Sequence, residues 1–141
     1  MENIKFEHSD NTDRIVENYL SRAITNYGLL QLNGETPVKL YCGCKSEDGS
    51  FIGAVMGCKT LNMFFVSHLY VEEDYRNRGI GSQLLSRIES LAKGAGCNLI
   101  RLNTLNIQSQ NFYATNGYNE TTRINDYMNG FDLVYYDKSI S

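Results

Sequence analysis

The sequence predicts an α+β domain on a mixed, mostly antiparallel sheet. Three observations predict it. Three strand-like runs follow one another between residues 38 and 71, a long amphipathic helix comes next, and a further strand follows that helix directly. Strands joined by short turns pair antiparallel, whereas strand, crossover helix and strand place two strands side by side and parallel. Both kinds of pairing therefore belong to one central sheet with flanking helices.

In chain order, residues 3–8 read as a short first strand. Thr12 or Asp13 is placed to cap a helix whose apolar face carries Ile15, Val16, Tyr19, Leu20, Ala23 and Ile24. Gly28 is expected to end it or to lie just beyond its end, with a polar loop over 29–36. Val38–Lys45 and Phe51–Lys59 flank a Ser46–Ser50 turn, and Asn62–Val71 completes a three-stranded meander. The next helix spaces Ile80, Leu84, Leu85, Ile88, Leu91, Ala92 and Ala95 on one side, and Gly94 and Gly96 stop it. Leu99–Leu105 is a strand, and Gln108–Asn116 a short helix. Strands from Tyr118 and over Phe131–Tyr136 finish the chain.

Composition sets the bounds. With 141 residues, 42% apolar and 21% charged, the chain suits one domain spanning 1–141 that buries a core without staples. A net charge of −3 gives no field that would draw nucleic acid or anionic lipid. No apolar run approaches the length of a membrane span, and the first residues resemble no targeting segment, so a cytoplasmic location is expected. Cys42, Cys44, Cys58 and Cys97 read as reduced thiols, since no CxxC pair or nearby histidine forms a metal site.

The chemistry concentrates in Arg76-Asn77-Arg78-Gly79-Ile80-Gly81-Ser82, between a strand and a helix N-terminus. The first helical turn presents unpaired N–H groups and partial positive charge. Gly79 and Gly81 let an anion approach that backbone, and two arginines add charge, so a diphosphate suits the turn. A P-loop is excluded because GxxxxGK[ST] is missing. A dinucleotide fingerprint is excluded because Leu84 stands where its third glycine would be.

Arg76 to Gly81 resembles the [Q/R]-x-x-G-x-[G/A] coenzyme A signature of the GNAT superfamily of N-acetyltransferases, and Leu69-Tyr70-Val71 resembles the L-x-V that precedes it. Asn106 to Tyr118 resembles N-x-x-A-x-x-F-Y-x-x-x-G-[F/Y], with Ser109 in place of the alanine. Thr104, Gln108 and the Phe112-Tyr113 pair also resemble a subgroup of small bacterial acetyltransferases.

The resemblance implies the GNAT fold, in which two parallel strands splay apart near Val71 and hold coenzyme A between them. It implies that Leu69, Tyr70 and Val71 bind the pantetheine arm through their backbone. Arg76, Asn77, Arg78, Gly79, Ile80, Gly81 and Ser82 would hold the pyrophosphate, and Asn106 would reach the arm from the other side. Tyr113 matches the tyrosine that protonates the leaving thiolate. The implied activity is transfer of acetyl from acetyl-coenzyme A to a primary amine, without a metal. The alternative is an acyl-coenzyme A binding or sensing module that catalyses nothing.

The general base is where this sequence departs from the family. The positions that carry Glu, Asp or His in many relatives are Phe65 and Ser67 here, and neither accepts a proton. Strict strand alternation puts His68 on the sheet face opposite Ser67. An acceptor pocket is expected from residues 24–36 and from Asp126 to Phe131, for a small-molecule or peptide amine. A homodimer through the late sheet edge is also expected.

Overall fold

The regular structure begins with a helix, α1, Arg14–Gln31. Asp13 caps it: the Ile15 amide donates to Asp13 Oδ1 at 2.8 Å, and the Glu17 amide to the Asp13 carbonyl at 3.0 Å. The helix runs three residues past Gly28, so that glycine does not stop it. Residues 2–8 form no strand, against the sequence expectation. Local alternation of Ile4 and Phe6 gives a preference only, and a strand forms through its ladder.

This computed structural model describes residues 2–11, 13–31, 36–106 and 110–141. The chain divides into two units, Met1–Thr36 and Pro37–Ser141. The first carries α1. The second carries β1 (Val38–Lys45), β2 (Phe51–Thr60), β3 (Met63–Val71), α2 (Ile80–Gly94), β4 (Leu99–Leu105), α3 (Gln110–Thr115), β5 (Asn119–Met128) and β6 (Phe131–Ser139). No described helix is long and apolar enough to cross a membrane.

The six strands lie in the order β1-β2-β3-β4-β6-β5. Among the described residues only β3 and β4 run parallel, as the crossover through α2 requires. The β1–β2 turn is pinned by Asp48, which accepts from Ser46 Oγ at 2.5 Å and from the Ser50 amide at 2.8 Å. Those hydrogen bonds, that from Ser46 first, hold its carboxyl down at about 2. Between β5 and β6, Asn129 and Gly130 both take positive φ (49° and 80°), the requirement of a two-residue hairpin turn.

The core lies between α2 and one face of the sheet. Leu84, Leu85, Ile88 and Ala92 are buried against Val55, Phe64, Val66, Ile100, Leu102 and Val134. Burying each large aliphatic side chain contributes about 1.5–3 kcal/mol. Leu91, expected on the same stripe, is exposed, because the buried stripe is narrower than the apolar one. Past the end of α2, Gly96 takes φ 96°, the left-handed stop its position predicts.

One irregularity changes the reading of β3. Met56 pairs with His68 but Gly57 pairs with Val66, so Ser67 is an extra residue with no partner on β2. This is a β-bulge. Above it Phe64 and Val66 are buried; below it Leu69 and Val71 face the core, one residue out of phase. Ser67 and His68 are both exposed between them. Gly57 allows the bulge, since a Cβ there would collide with the Phe65 carbonyl and lie 2.6 Å from the Phe64 ring.

Candidate active site

Parallel pairing between β3 and β4 covers only Met63–Leu99, Phe64–Ile100 and Phe65–Arg101. Beyond the bulge the strands part. A cleft of about 580 Å³ opens there. Leu69, Tyr70 and Val71 line one wall, and Phe112 and Tyr113 of α3 are among its other lining residues. Arg76, Asn77, Gly79, Ile80, Gly81 and Ser82 close one end together with Tyr75.

The wall formed by β3 offers unpaired backbone. The Glu72 amide donates to the Ile52 carbonyl at 2.8 Å, so by antiparallel alternation Val71 and Leu69 turn their N–H and C=O groups away from β2. Arg76 Nε occupies one of these, donating to the Val71 carbonyl at 2.9 Å. Tyr70 pairs with Ala54 and presents its half-exposed side chain instead.

The turn folds as its residues dictate. Asn77 (φ 62°) and Gly79 (φ 79°) take left-handed conformations, which asparagine and glycine tolerate best. The first bond of α2 runs from the Gln83 amide to the Gly79 carbonyl at 3.1 Å. The amides of Ile80, Gly81 and Ser82 thus have no acceptor within the helix, and the helix dipole adds to their positive character. Both arginines are held by stacking. The Arg76 guanidinium lies 5.4 Å from the Tyr70 ring centre, and that of Arg78 lies 5.1 Å from Tyr75. Tyr75 was not singled out in the sequence, where it is one of ten tyrosines.

Tyr113 is 9% exposed and sits in an aromatic cage. Ring centres of Phe112, Tyr118 and Tyr136 lie 5.1, 5.8 and 5.7 Å away. Burial, and secondarily the neighbouring Tyr136, raises its pKa above the ordinary tyrosine value, so the phenol keeps its proton at neutral pH. Behind it, Tyr118 donates to Glu89 Oε2 at 2.7 Å, and Lys138 Nζ lies 2.9 Å from Glu89 Oε1. The pKa of Tyr118 is raised too, by burial first and then by that bond.

Two expected residues stand outside the cleft wall. Asn106 is tied to the start of β6: its Oδ1 accepts from the Asp132 amide at 2.7 Å and its amide donates to the Asp132 carbonyl at 2.9 Å. Asp132 in turn accepts from the Asp126 amide at 3.0 Å and from Arg123 Nη1 at 2.8 Å. Arg78 reaches the site through Tyr75. Residues 107–109, which complete the second motif, lie outside the described residues, and α3 is described from Gln110.

The bulge corrects one expectation outright. His68 does not point away from Ser67: its Nδ1 lies 2.9 Å from Ser67 Oγ. Across a bulge the simple alternation of a strand fails. The signal was present in the sequence, because apolar Phe64 and Val66 differ in parity from Leu69 and Val71. Among the described residues no group of three or more His, Cys, Asp or Glu could hold a metal.

Residues 7–118 match the acetyltransferase (GNAT) family. The chain is 31% identical over 88 residues to the aminoglycoside N(6')-acetyltransferase type 1 of Serratia marcescens, covering 61% of this chain and 54% of that one. It thus spans about half the length of that relative. It is 31% identical over 99 residues to the blasticidin-S acetyltransferase of Streptomyces morookaense, covering 67% and 71%. The crystal structure of an acetyltransferase from Bacillus cereus superposes with a TM-score of 0.79 at 30% identity, over 94% of this chain and 97% of that one.

Proposed function

Because the chain belongs to the acetyltransferase (GNAT) family, we propose that it transfers an acetyl group from acetyl-coenzyme A directly to a primary amine. One observation carries this reading. The splayed strands place unpaired backbone, an anion-receptive helix start and a buried protonated tyrosine around a single cleft. A nucleotide thiol ester needs those three things: a partner for its diphosphate, a strand-like partner for its amide-bearing arm, and a proton for its leaving sulfur.

In this reading the amides from Ile80 to Ser82 meet the pyrophosphate, with Arg76, Asn77, Arg78 and Gly79 shaping and charging that end. Leu69 and Val71 bind the pantetheine arm through backbone groups, and Tyr70 borders it with its side chain. Asn106 reaches the arm through the part of its amide not bound to Asp132. Tyr113 donates the proton that the thiolate takes.

The two named relatives are an aminoglycoside and a blasticidin-S acetyltransferase, which supports a small amine as acceptor. The family match begins at residue 7 and so runs across both units, which supports one functional domain. The four cysteines are all free, in keeping with work in the cytoplasm. A panel of primary amines, read by coenzyme A release, tests the activity. Release with at least one amine is the expected result. Tight coenzyme A binding with no release from any of them would favour a binding module instead.

A further inference from the structure

Glu89 stands on α2 directly after buried Ile88, and only 13% of its side chain is exposed. A carboxylate so withdrawn from water needs donors of its own, and this one has two from different elements. Tyr118, directly before β5, donates its hydroxyl to Oε2 at 2.7 Å, and Lys138 of β6 donates from Nζ to Oε1 at 2.9 Å. The same Nζ donates to the Asn116 carbonyl at 2.9 Å, just past the end of α3, where carbonyls lack partners within the helix. Asn116 also reaches back, Nδ2 donating to the Phe112 carbonyl at 2.8 Å. Gly117 (φ 90°) carries the chain round this corner, and a Cβ there would stand 3.3 Å from Lys138 Cε.

The cluster joins two parts of the cleft. α3 has six residues, too few to hold a helix without outside support. It carries Phe112 and Tyr113, both of which line the cleft. α2 carries the anion-receptive end at Ile80, Gly81 and Ser82, and Glu89 follows Ser82 about two turns later, about 10 Å along the axis. Tyr118 lies edge-on to Tyr113, with ring centres 5.8 Å apart and planes at 70°. The ring that Glu89 holds by its hydroxyl is therefore the ring that packs on Tyr113. A phenylalanine would fill position 118 equally well, and the hydroxyl finds its partner in Glu89. A buried ion pair adds little net stability over apolar side chains of the same size, but its charged hydrogen bonds are satisfied in one geometry.

We propose that Glu89 is a positioning residue for Tyr113: by gripping Tyr118 and Lys138 it holds α3 at a set reach from the anion-receptive turn of α2. This rests on the acetyl-transfer reading given above. A thioester anchored by its diphosphate at Ile80–Ser82 brings its sulfur to a place fixed by the length of its arm. The Tyr113 phenol has to stand at that place when the sulfur leaves. A displacement of α3 by about an ångström therefore costs turnover, by up to about a hundredfold. Cofactor affinity, which resides in the backbone of α2 and β3, is left as it was.

Two mild variants test this. Tyr118→Phe removes the hydroxyl and keeps the ring, while Glu89→Gln keeps an acceptor for Tyr118 and loses the ion pair with Lys138. Amide hydrogen exchange of the whole chain reads the grip without any acceptor. The Asn116 and Tyr118 amides donate to the Phe112 and Tyr113 carbonyls. They should exchange at least about tenfold faster in both variants, with α2 unchanged. Unchanged exchange overturns the proposal. For an amine found by coenzyme A release, Tyr118→Phe should lower kcat about tenfold, with coenzyme A affinity and amine KM within about a factor of two. In a Tyr113→Phe chain the same change should move kcat by less than about twofold, because the effect passes through that phenol. An equal fall in both backgrounds, or an unchanged kcat in Tyr118→Phe, overturns the positioning role while the transfer reading stands. No release from any amine by the unmodified protein sinks both.

Discussion

Phe112 lies edge-on to Gly81, with two ring carbons each 3.3 Å from the place where a Cβ on residue 81 would stand. Val71 Cγ2 is 3.8 Å from the same point. A side chain at 81 would therefore enter the cleft between α2, β3 and α3. Gly81→Glu should add both bulk and like charge where an anion is expected. Calorimetry on the folded variant should show coenzyme A affinity reduced at least about a hundredfold, or roughly 2.7 kcal/mol. Unchanged affinity would remove the turn from the binding site.

Tyr113→Phe keeps the ring in its cage and removes only the hydroxyl. Turnover should fall by about two orders of magnitude, with coenzyme A affinity within about a factor of two. A loss of affinity without a loss of turnover would make Tyr113 a packing residue.

The same tyrosine predicts how stability depends on alkali. A phenol whose folded pKa is raised stabilises fully below the unfolded value of about 10, and that contribution drains away as pH rises through the folded value. Tyr113 and Tyr118 are both buried and both shifted upward. Above pH about 10 each should therefore remove up to roughly 1.4 kcal/mol of stability per pH unit. Urea unfolding between pH 9 and 11 should show a shallower decline in Tyr113→Phe, which has one such phenol fewer. Equal slopes would mean that Tyr113 ionises as freely in the folded chain as in the unfolded one.

Gly57→Ala bears on the bulge. The added methyl would strike the Phe65 carbonyl and the Phe64 ring, both in a strand flanked by core. A loss of about 1–3 kcal/mol in unfolding free energy is expected, with altered resonances at Ser67 and His68. A variant as stable as the parent, with those resonances unmoved, would show that the bulge does not need glycine opposite it.

β5 is a sheet edge whose ten residues are all exposed, including Ile124, Tyr127 and Met128. This is the late edge on which the sequence suggested pairing into a homodimer. Light scattering at high micromolar concentration should give twice the chain mass. A monomer throughout would assign that edge no partner of its own kind.

Much of the architecture was legible because it follows from periodicity. The bounds of β1 and β4, the crossover through α2 and the parallel β3–β4 pair all follow from apolar spacing and glycine stops. The turn at Arg76–Ser82 was equally readable, since glycine before a helix has few meanings. The bulge was harder, because it depends on which residue of β2 faces which residue of β3, and that register is a property of two strands together. Asn106 shows a different limit. A motif names the residue, but the hydrogen bonds to Asp132 are made by a strand 26 residues further on.

The early end of β3–β4 pairing also bears on solubility. Past Phe65, β3 keeps a neighbour on one side only among the described residues, so the interior of the sheet contains a stretch of open edge there. Open edges are templates for strands of other molecules. Whatever fills the cleft masks that template as well as supplying the reaction. Chain purified without coenzyme A should cloud sooner on concentration and warming than chain saturated with it, even at temperatures where both remain folded.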